Sequence, residues 1–309
     1  MVDTKREIAD DIWLFDLVSI DDDELPPFEP GAHIIVRTPA GVPRQYSLCS
    51  SSAELHRYQI GVKCERSGRG GSASMAEDLN IGDVVSASLP LNHFPLEPAD
   101  GETLLIAGGI GVTPILAMAR HLQQHGRSFR VIYCARSPET AAFIDVLAAP
   151  QFSDHTMIHY DGGDPEKALD IAAALRDCPP ETHLYCCGPR GLMGAVREAT
   201  RHWAPGHVHF EDFGGSVEPN AEDFAFRVHL ARSGGVLDVG SQETILEAMR
   251  RHGLGVPSSC EAGACGACRT GLLAGKADHR DYVLTDSEHD SAIMVCVSRA
   301  ASAELTIDA

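Results

Sequence analysis

The sequence predicts three domains: an antiparallel β-barrel over residues 1–100, a parallel α/β domain over 101–217 and a third domain over 218–309. Short β-type runs separated by Gly and Pro fill the first hundred residues. From Thr103, apolar strands alternate with amphipathic helices, which is typical of a parallel sheet. Residues 214–220 have the composition of a linker, and a new β pattern begins at Phe224.

The composition is that of a globular protein with 44% hydrophobic and 22% charged residues. The formal net charge of −19 argues against a nucleic-acid partner, because the phosphate backbone would be repelled. Residues 1–7 lack the apolar segment of a signal peptide, and no apolar run approaches the ~18 residues that a membrane span needs. We therefore expect a cytoplasmic protein that binds no membrane.

In the predicted barrel, β-type runs occupy residues 12–15, 33–36, 58–62 and 84–89. The tetrapeptide Arg44-Gln45-Tyr46-Ser47 adds a cation, an aromatic ring and a hydroxyl in extended positions. Arg44 and Tyr46 would share one strand face, so the guanidinium could hold a phosphate while the ring packs on a flat heterocycle. Taken alone, the tetrapeptide is equally consistent with an ordinary strand that carries a surface arginine.

A glycine-rich segment that includes Gly70 and Gly71 precedes a predicted helix over residues 72–79. The free N–H groups of the helix, with Ser72 as a capping hydroxyl, would form a second phosphate-binding element.

Two strand-to-helix junctions stand out in the α/β domain. The strand at 104–107 runs into the glycine-rich residues 108–114 and a helix over 115–124, and the strand at 183–187 runs into Gly188-Pro189 and a helix over 192–203. Both junctions fall at carboxyl ends of presumed parallel strands, where open α/β sheets bind ligands. The first loop is not the G-x-G-x-x-G fingerprint.

Four cysteines, Cys260, Cys265, Cys268 and Cys296, follow the C-x4-C-x2-C…C spacing that holds a plant-type [2Fe-2S] cluster. The residues between the first three are small, so a tight loop can wrap a cluster. A zinc site or inert buried thiols are the alternatives, but structural zinc ligands usually come in two close pairs, whereas Cys296 lies alone in an apolar, strand-like run at 293–297.

In their order, these motifs resemble those of the ferredoxin-NADP reductase superfamily. The fused cysteine domain is similar to that of the phthalate dioxygenase reductase and vanillate O-demethylase reductase family. The resemblance covers essentially the whole chain. It implies a flavin-binding barrel, an α/β nucleotide-binding domain and an α+β plant-type ferredoxin domain of the β-grasp fold.

The resemblance also implies roles for individual residues. The flavin site would comprise Arg44, Tyr46, Ser47, Lys63, Gly70, Gly71 and Ser72. The nucleotide site would comprise Gly109, Gly111, Thr113, Arg136, Cys187, Gly188 and Pro189. Ser47 would lie near the flavin N5 atom, Cys187 beside the nicotinamide, and Phe213 near both rings, although an apolar residue at a strand end is ordinarily core.

The implied activity is that of a reductase component, which passes electrons from NADH through FMN to the cluster and on to a Rieske-type terminal oxygenase. FMN is favoured over FAD because such family members carry FMN and the barrel lacks an adenine-binding insertion. NADH is favoured over NADPH, although Arg136 could hold a 2′-phosphate. Two alternatives stay open: a reductase for a non-Rieske acceptor such as a diiron hydroxylase, and a nucleotide-sensing, ferredoxin-like carrier.

Overall fold

The structure is a computed structural model that describes residues 1–68, 70–98, 101–204, 206–213, 223–258, 261, 263 and 266–309. The chain folds as two compact units, Met1–His209 and Phe210–Ala309. The predicted linker at 214–220 lies outside the described residues, as do Cys260 and Cys265.

The first unit begins with the predicted antiparallel β-barrel. Its elements are β1 (Val2–Ala9), β2 (Ile12–Leu17), β3 (Ala32–Arg37), β4 (Pro43–Ser47), β5 (Tyr58–Lys63), α1 (Gly71–Glu77) and β6 (Leu91–Asn92). Two three-stranded sheets, in the orders β1-β2-β5 and β4-β3-β6, are joined by a backbone bridge between Leu48 and Ile60.

The prediction of a strand at residues 84–89 is wrong. Only an isolated bridge between Val36 and Ala87 forms there. The Ser88 hydroxyl accepts the Ile35 N–H at 2.9 Å, so a side chain takes a position that a backbone carbonyl occupies in a regular ladder. Val84 and Leu89 are 65% and 69% exposed, so this segment buries little apolar surface.

The rest of the first unit is the predicted parallel α/β fold. Its strands and α-helices are β7 (Thr103–Gly108), α2 (Val112–Gln124), β8 (Phe129–Ala135), α3 (Ile144–Leu147), α4 (Pro150–Ser153), β9 (Thr156–Tyr160), α5 (Ile171–Leu175), β10 (His183–Cys187), α6 (Arg190–Ala199) and β11 (Val208–Glu211). The sheet order is β11-β10-β7-β8-β9, and the pairs β10–β7, β7–β8 and β8–β9 are parallel.

Strand β2 is buried on both faces and thereby packs the barrel against the α/β fold. Phe15 belongs to the barrel core, whereas its neighbour Leu14 belongs to the core that contains Leu116 and Tyr185. Because side chains alternate along a strand, one apolar run supplies both cores. Strand β2 therefore lies between two cores, that of the barrel and that which joins the barrel to the α/β fold.

The two strand-to-helix junctions of the α/β fold meet through their backbones. A Cβ atom placed on Gly111 would lie 2.2 Å from the Cys187 carbonyl oxygen, and one placed on Gly188 would lie 2.9 Å from the Gly108 Cα. Any side chain at either glycine would force the two loops apart.

The second unit is an α+β fold, as predicted for a β-grasp domain. Its elements are β12 (Phe226–Leu230), β13 (Val236–Val239), α7 (Ile245–Arg251), β14 (Arg269–Ala274), β15 (Ala277–Asp278), β16 (Ala292–Met294), β17 (Arg299–Ala300) and β18 (Glu304–Ile307). A mixed sheet in the order β13-β12-β18-β14-β16 packs against α7, which begins with a capping box formed by Thr244 and Glu247. Cys296 lies in the turn after β16 and not in a strand, which corrects the expectation for residues 293–297.

None of the helices in the described part of the chain is both long enough and apolar enough to cross a membrane.

Strand β3 buries a histidine. His33 is 4% exposed, and its ring lies 5.3 Å from that of His93. Burial, aided by the charge of His93, lowers the pKa of His33 to about 4. The imidazole is therefore neutral in the folded protein at pH 7.

We expect Gly111→Ala to lower the free energy of unfolding by about 1–3 kcal/mol, because the new methyl group overlaps the Cys187 carbonyl. Gly194→Ala is the matched control, since Gly194 lies in α6 with open space around it and alanine favours a helix. Chemical denaturation of both variants is the measurement. Equal stability of the two variants would contradict the close approach of the loops.

We expect His33→Gln to reduce the loss of stability in acid. An unfolded histidine takes up a proton below pH 6.5, whereas folded His33 does so only near pH 4, so its contribution to stability is lost as the pH falls through this window. The free energy of unfolding of wild type minus that of the variant should therefore fall by about 1–3 kcal/mol between pH 7 and pH 4. His56→Gln, the same substitution at an exposed histidine, is the control variant.

Candidate functional site

Strand β4 carries the tetrapeptide that the sequence singled out. Its register with β3 pairs Arg44 with Val36, Tyr46 with Ile34 and Ser47 with His33. Arg44 and Tyr46 are both half-buried and share one face, and Ser47 is 5% exposed at the end of the strand.

Arg44 lies over the beginning of helix α1. A Cβ atom placed on Gly71 would be 2.8 Å from the Arg44 Nε atom and 3.1 Å from its Cζ atom. The guanidinium and the glycine-rich segment, which are 27 positions apart in the sequence, therefore form one surface. A side chain at position 71 would displace the cation.

Ser72 is not the helix cap that the sequence predicts. The N-cap is Gly70, which adopts the left-handed conformation with φ 79°. The Ser72 hydroxyl instead accepts the Glu65 N–H at 3.0 Å, and the Lys63 Nζ atom lies 2.7 Å from the Glu65 carboxylate. Ser72 and Lys63, both predicted flavin-site residues, therefore each interact with Glu65.

Tyr46 presents an unused hydroxyl. The oxygen is buried, and within the described part of the chain it has no hydrogen-bond partner. Burial raises the pKa of Tyr46 to about 12, and the neighbouring Arg44 opposes this rise only weakly. The hydroxyl is therefore a protonated donor without an acceptor beside a cation, an arrangement that fits a phosphorylated cofactor.

The first glycine-rich loop forms one turn of 3-10 helix, Gly109–Gly111, that leads into α2. Gly109 has φ 53° and open space where a side chain would be, so its backbone is accessible to a ligand. Thr113 is buried and its hydroxyl donates to the Ile110 carbonyl at 3.0 Å. Its methyl group faces the barrel, where a Cβ atom placed on Gly61 would be 2.8 Å away.

The second loop contributes Cys187, Gly188 and Pro189. Cys187 is fully buried at the end of β10, and Pro189 is the N-cap of α6. A Cβ atom placed on Gly108 would lie 2.5 Å from the Pro189 Cδ atom. The structure therefore brings both predicted nucleotide loops to one place, at the edge of the barrel.

Arg136 and Phe213 lie at strand exits. Arg136 follows β8 and is exposed, with its Cδ atom 3.7 Å from the Cβ position of Gly163. Phe213 is 44% exposed, so the alternative that it is a core residue is wrong.

Sequence reasoning missed a polar connection between the barrel and α2. Arg120 of α2 donates to the Cys49 carbonyl and, at 3.2 Å, to the Gln59 side chain. Gln59 in turn donates to the buried Asp16 carboxylate at 2.8 Å. These residues are far apart in sequence, and no local pattern marks them.

The described cysteines of the second unit are buried. Cys268 is 2% exposed immediately before β14, and Cys296 is 3% exposed. Soft thiolate ligands shielded from water are the donor set that an iron–sulfur cluster uses.

Comparisons with known proteins agree with this arrangement. The family model described as "Oxidoreductase NAD-binding domain" matches residues 105–198, and the model described as "2Fe-2S iron-sulfur cluster binding domain" matches residues 228–301.

The similarity to individual proteins extends over the whole chain. Phthalate dioxygenase reductase from Burkholderia cepacia is 49% identical over 99% of this chain and 95% of its own length. Vanillate O-demethylase oxidoreductase from Pseudomonas sp. strain HR199 is 41% identical over 100% and 98%. A solved structure of phthalate dioxygenase reductase, described as modular for electron transfer from pyridine nucleotides to [2Fe-2S], covers 100% of this chain and 96% of its own, with a TM-score of 0.72 and 48% identity. The chain belongs to the phthalate dioxygenase reductase family.

Proposed function

We propose that this protein is the reductase component of a Rieske-type oxygenase system, which takes electrons from NADH and delivers them to a terminal oxygenase. The observation that carries this proposal is the meeting of three elements in the first unit: the barrel strand β5 at Gly61, the start of α2 at Thr113 with the preceding Gly111, and the end of β10 at Cys187. A flavin held by the barrel and a nucleotide held by the two loops would be neighbours there.

The partner is inferred from the relatives. One relative is named for phthalate dioxygenase and another for vanillate O-demethylation. By this likeness the partner of the present chain is an oxygenase component that hydroxylates or demethylates an aromatic compound. Three domains, with the boundaries 1–100, 101–217 and 218–309, would supply the path to it.

Bound FMN would accept hydride from NADH and release single electrons to the [2Fe-2S] cluster. Arg44 would neutralise the FMN phosphate together with the glycine-rich start of α1, and the Tyr46 hydroxyl would donate a hydrogen bond to it. Ser47, at the end of β4, would place its hydroxyl near the flavin N5 atom. Lys63 and Ser72 would shape this site through Glu65.

The nucleotide would lie across the two loops. The backbone of Gly109 and Gly111, at the N-terminus of the 13-residue helix α2, would bind the pyrophosphate. Cys187, Gly188 and Pro189 would line the nicotinamide position, with Thr113 packing the loop on the barrel. Phe213 would cover the rings, and the exposed Arg136 would contact the adenosine ribose.

In the second unit, Cys260, Cys265, Cys268 and Cys296 would hold the cluster. The four thiols must lose their protons to bind iron, and the buried positions of Cys268 and Cys296 would protect the iron–sulfur bonds from water.

We also place this protein in the cytoplasm. Its support is the state of the remaining cysteines: Cys49, Cys64, Cys134, Cys178 and Cys186 carry no disulfide. Unpaired thiols in such number are typical of a reducing compartment.

Replacement of Cys268 by serine should separate the two halves of the path. With NADH as donor, reduction of cytochrome c, a one-electron acceptor protein, should fall at least about 100-fold. Reduction of ferricyanide, a small acceptor that can take electrons from the flavin directly, should stay within about twofold of wild type, because the residues proposed for the flavin phosphate and for the two nucleotide loops lie in the other unit.

Cys178→Ser is the control. Cys178 lies in the α/β fold, and its thiol accepts a hydrogen bond from Arg130. The variant should leave both activities unchanged. Retention of cytochrome c reduction by Cys268→Ser would contradict the assigned path. Release of a flavin other than FMN, or a kcat/KM that favours NADPH, would overturn the assigned cofactors.

A further inference from the structure

The second unit contains a carboxylate that is withdrawn from water. Asp281 is 2% exposed, and its side chain is fully buried. An ionised carboxylate in a protein interior is costly unless donors surround it, so such a group points to a specific task. Asp281 lies in the segment between β15 and β16 and belongs to no strand or helix.

Both carboxylate oxygens accept hydrogen bonds. Oδ2 accepts the N–H groups of Val283 at 3.1 Å and Leu284 at 2.7 Å, which fixes the turn that follows Asp281. Oδ1 accepts the Ser298 hydroxyl at 3.3 Å. The Nδ1 atom of His279 lies 3.8 Å from the same oxygen.

The segment at Asp281 lies directly against Gly263. Gly263 stands between Cys260 and Cys265 in the sequence, and its carbonyl accepts the Tyr282 N–H at 2.9 Å. A Cβ atom placed on Gly263 would lie 3.1 Å from the Asp281 Cα atom and 3.2 Å from its Cβ atom. The backbone at Gly263 can approach so closely because this residue is a glycine with φ 79°.

The same carboxylate is bonded to the turn that carries Cys296. The Ser298 N–H donates to the Met294 carbonyl at 3.0 Å and so closes the turn around the cysteine. The Ser298 hydroxyl, itself fully buried, accepts the Arg280 N–H at 3.2 Å and donates to Asp281. Asp281 therefore contacts Gly263, a neighbour of the first cysteines in the sequence, and is bonded to the turn that carries Cys296.

We propose that Asp281 is a positioning residue for the [2Fe-2S] cluster, which holds the Gly263 loop against the Cys296 turn and lowers the reduction potential of the cluster with its buried negative charge. Reduction adds an electron to the cluster, and a fixed anion in a medium of low dielectric constant makes that step less favourable. The proposal rests on the proposed function, in which the four cysteines hold the cluster.

Other ionisable side chains lie near Asp281, and the test must distinguish their effect on the cluster from that of the carboxylate. His279 stacks on His289 with ring centroids 4.0 Å apart, and its Nε2 atom lies 3.0 Å from the His289 carbonyl. Arg280 pairs with Asp223 and Asp278. A substitution at Asp281 should therefore leave these neighbours in place and change only the carboxylate.

Asp281→Asn removes the charge and keeps the size of the side chain. In a redox titration of the purified protein, followed by the visible spectrum and by electron paramagnetic resonance of the reduced cluster, the ratio of reduced to oxidised cluster at a fixed potential should rise about tenfold. This equals 59 mV for a one-electron couple. Asp286→Asn is the matched control, because the Asp286 side chain is 71% exposed in the same segment, and it should change the ratio less than twofold.

Two further variants keep the test decisive if Asp281→Asn does not fold. Asp281→Glu retains the charge and should shift the ratio less than Asp281→Asn does. Ser298→Ala removes the bond to Oδ1 without removing charge and should alter the resonance spectrum of the reduced cluster. The role of Asp281 would be overturned if Asp281→Asn showed the same potential and the same spectrum as wild type. If Asp281→Asn does not fold, the same result with Ser298→Ala would overturn it. Absence of iron and sulfide from the wild-type protein would instead show that the proposed function itself is wrong.

Discussion

The structure depends on one steric constraint, the backbone contact between the loops that follow β7 and β10. Gly108 and Gly111 approach Cys187 and Gly188 so closely that no Cβ atom fits between them. This contact aligns the carboxyl ends of two neighbouring parallel strands, and the packing of Thr113 against Gly61 then brings the barrel to the same point. Segments as far apart in the sequence as Gly61 and Cys187 are thereby held close to each other. Hydride transfer needs such proximity more than it needs acid or base groups.

Buried polar groups hold the surrounding elements in register. In the first unit, Arg120 reaches from α2 to the Cys49 carbonyl, two residues beyond Ser47. In the second unit, Asp281 reaches the turn beside Cys296. Asp281 is buried and Arg120 half-buried, and each bonds to polar groups of a different segment. Such bonds fix geometry more strictly than apolar contacts, because a misplaced segment would leave a buried charge unsatisfied.

The sequence was sufficient for the architecture because the relevant signals are local. Short β-type runs between Gly and Pro residues predicted β2, β3 and β5, and the glycine-rich junctions predicted the ends of β7 and β10. Residues 84–89 were wrongly predicted as a strand, because composition does not reveal whether a second layer will cover Val84 and Leu89. Ser72 was wrongly predicted as a cap, because its hydroxyl is bound by Glu65 and the helix begins one residue earlier. Arg120 and Asp281 were missed since their partners are distant in sequence.

The central claim is that nucleotide, flavin and cluster act as one electron path in this chain. The most direct measurement is anaerobic rapid mixing of the purified protein with NADH, followed at the separate visible absorption bands of the flavin and the cluster. The account predicts that flavin absorbance falls first and that cluster absorbance falls afterwards in the same molecules. A cluster that stays oxidised while the flavin is fully reduced, or one that is reduced before the flavin, would contradict it.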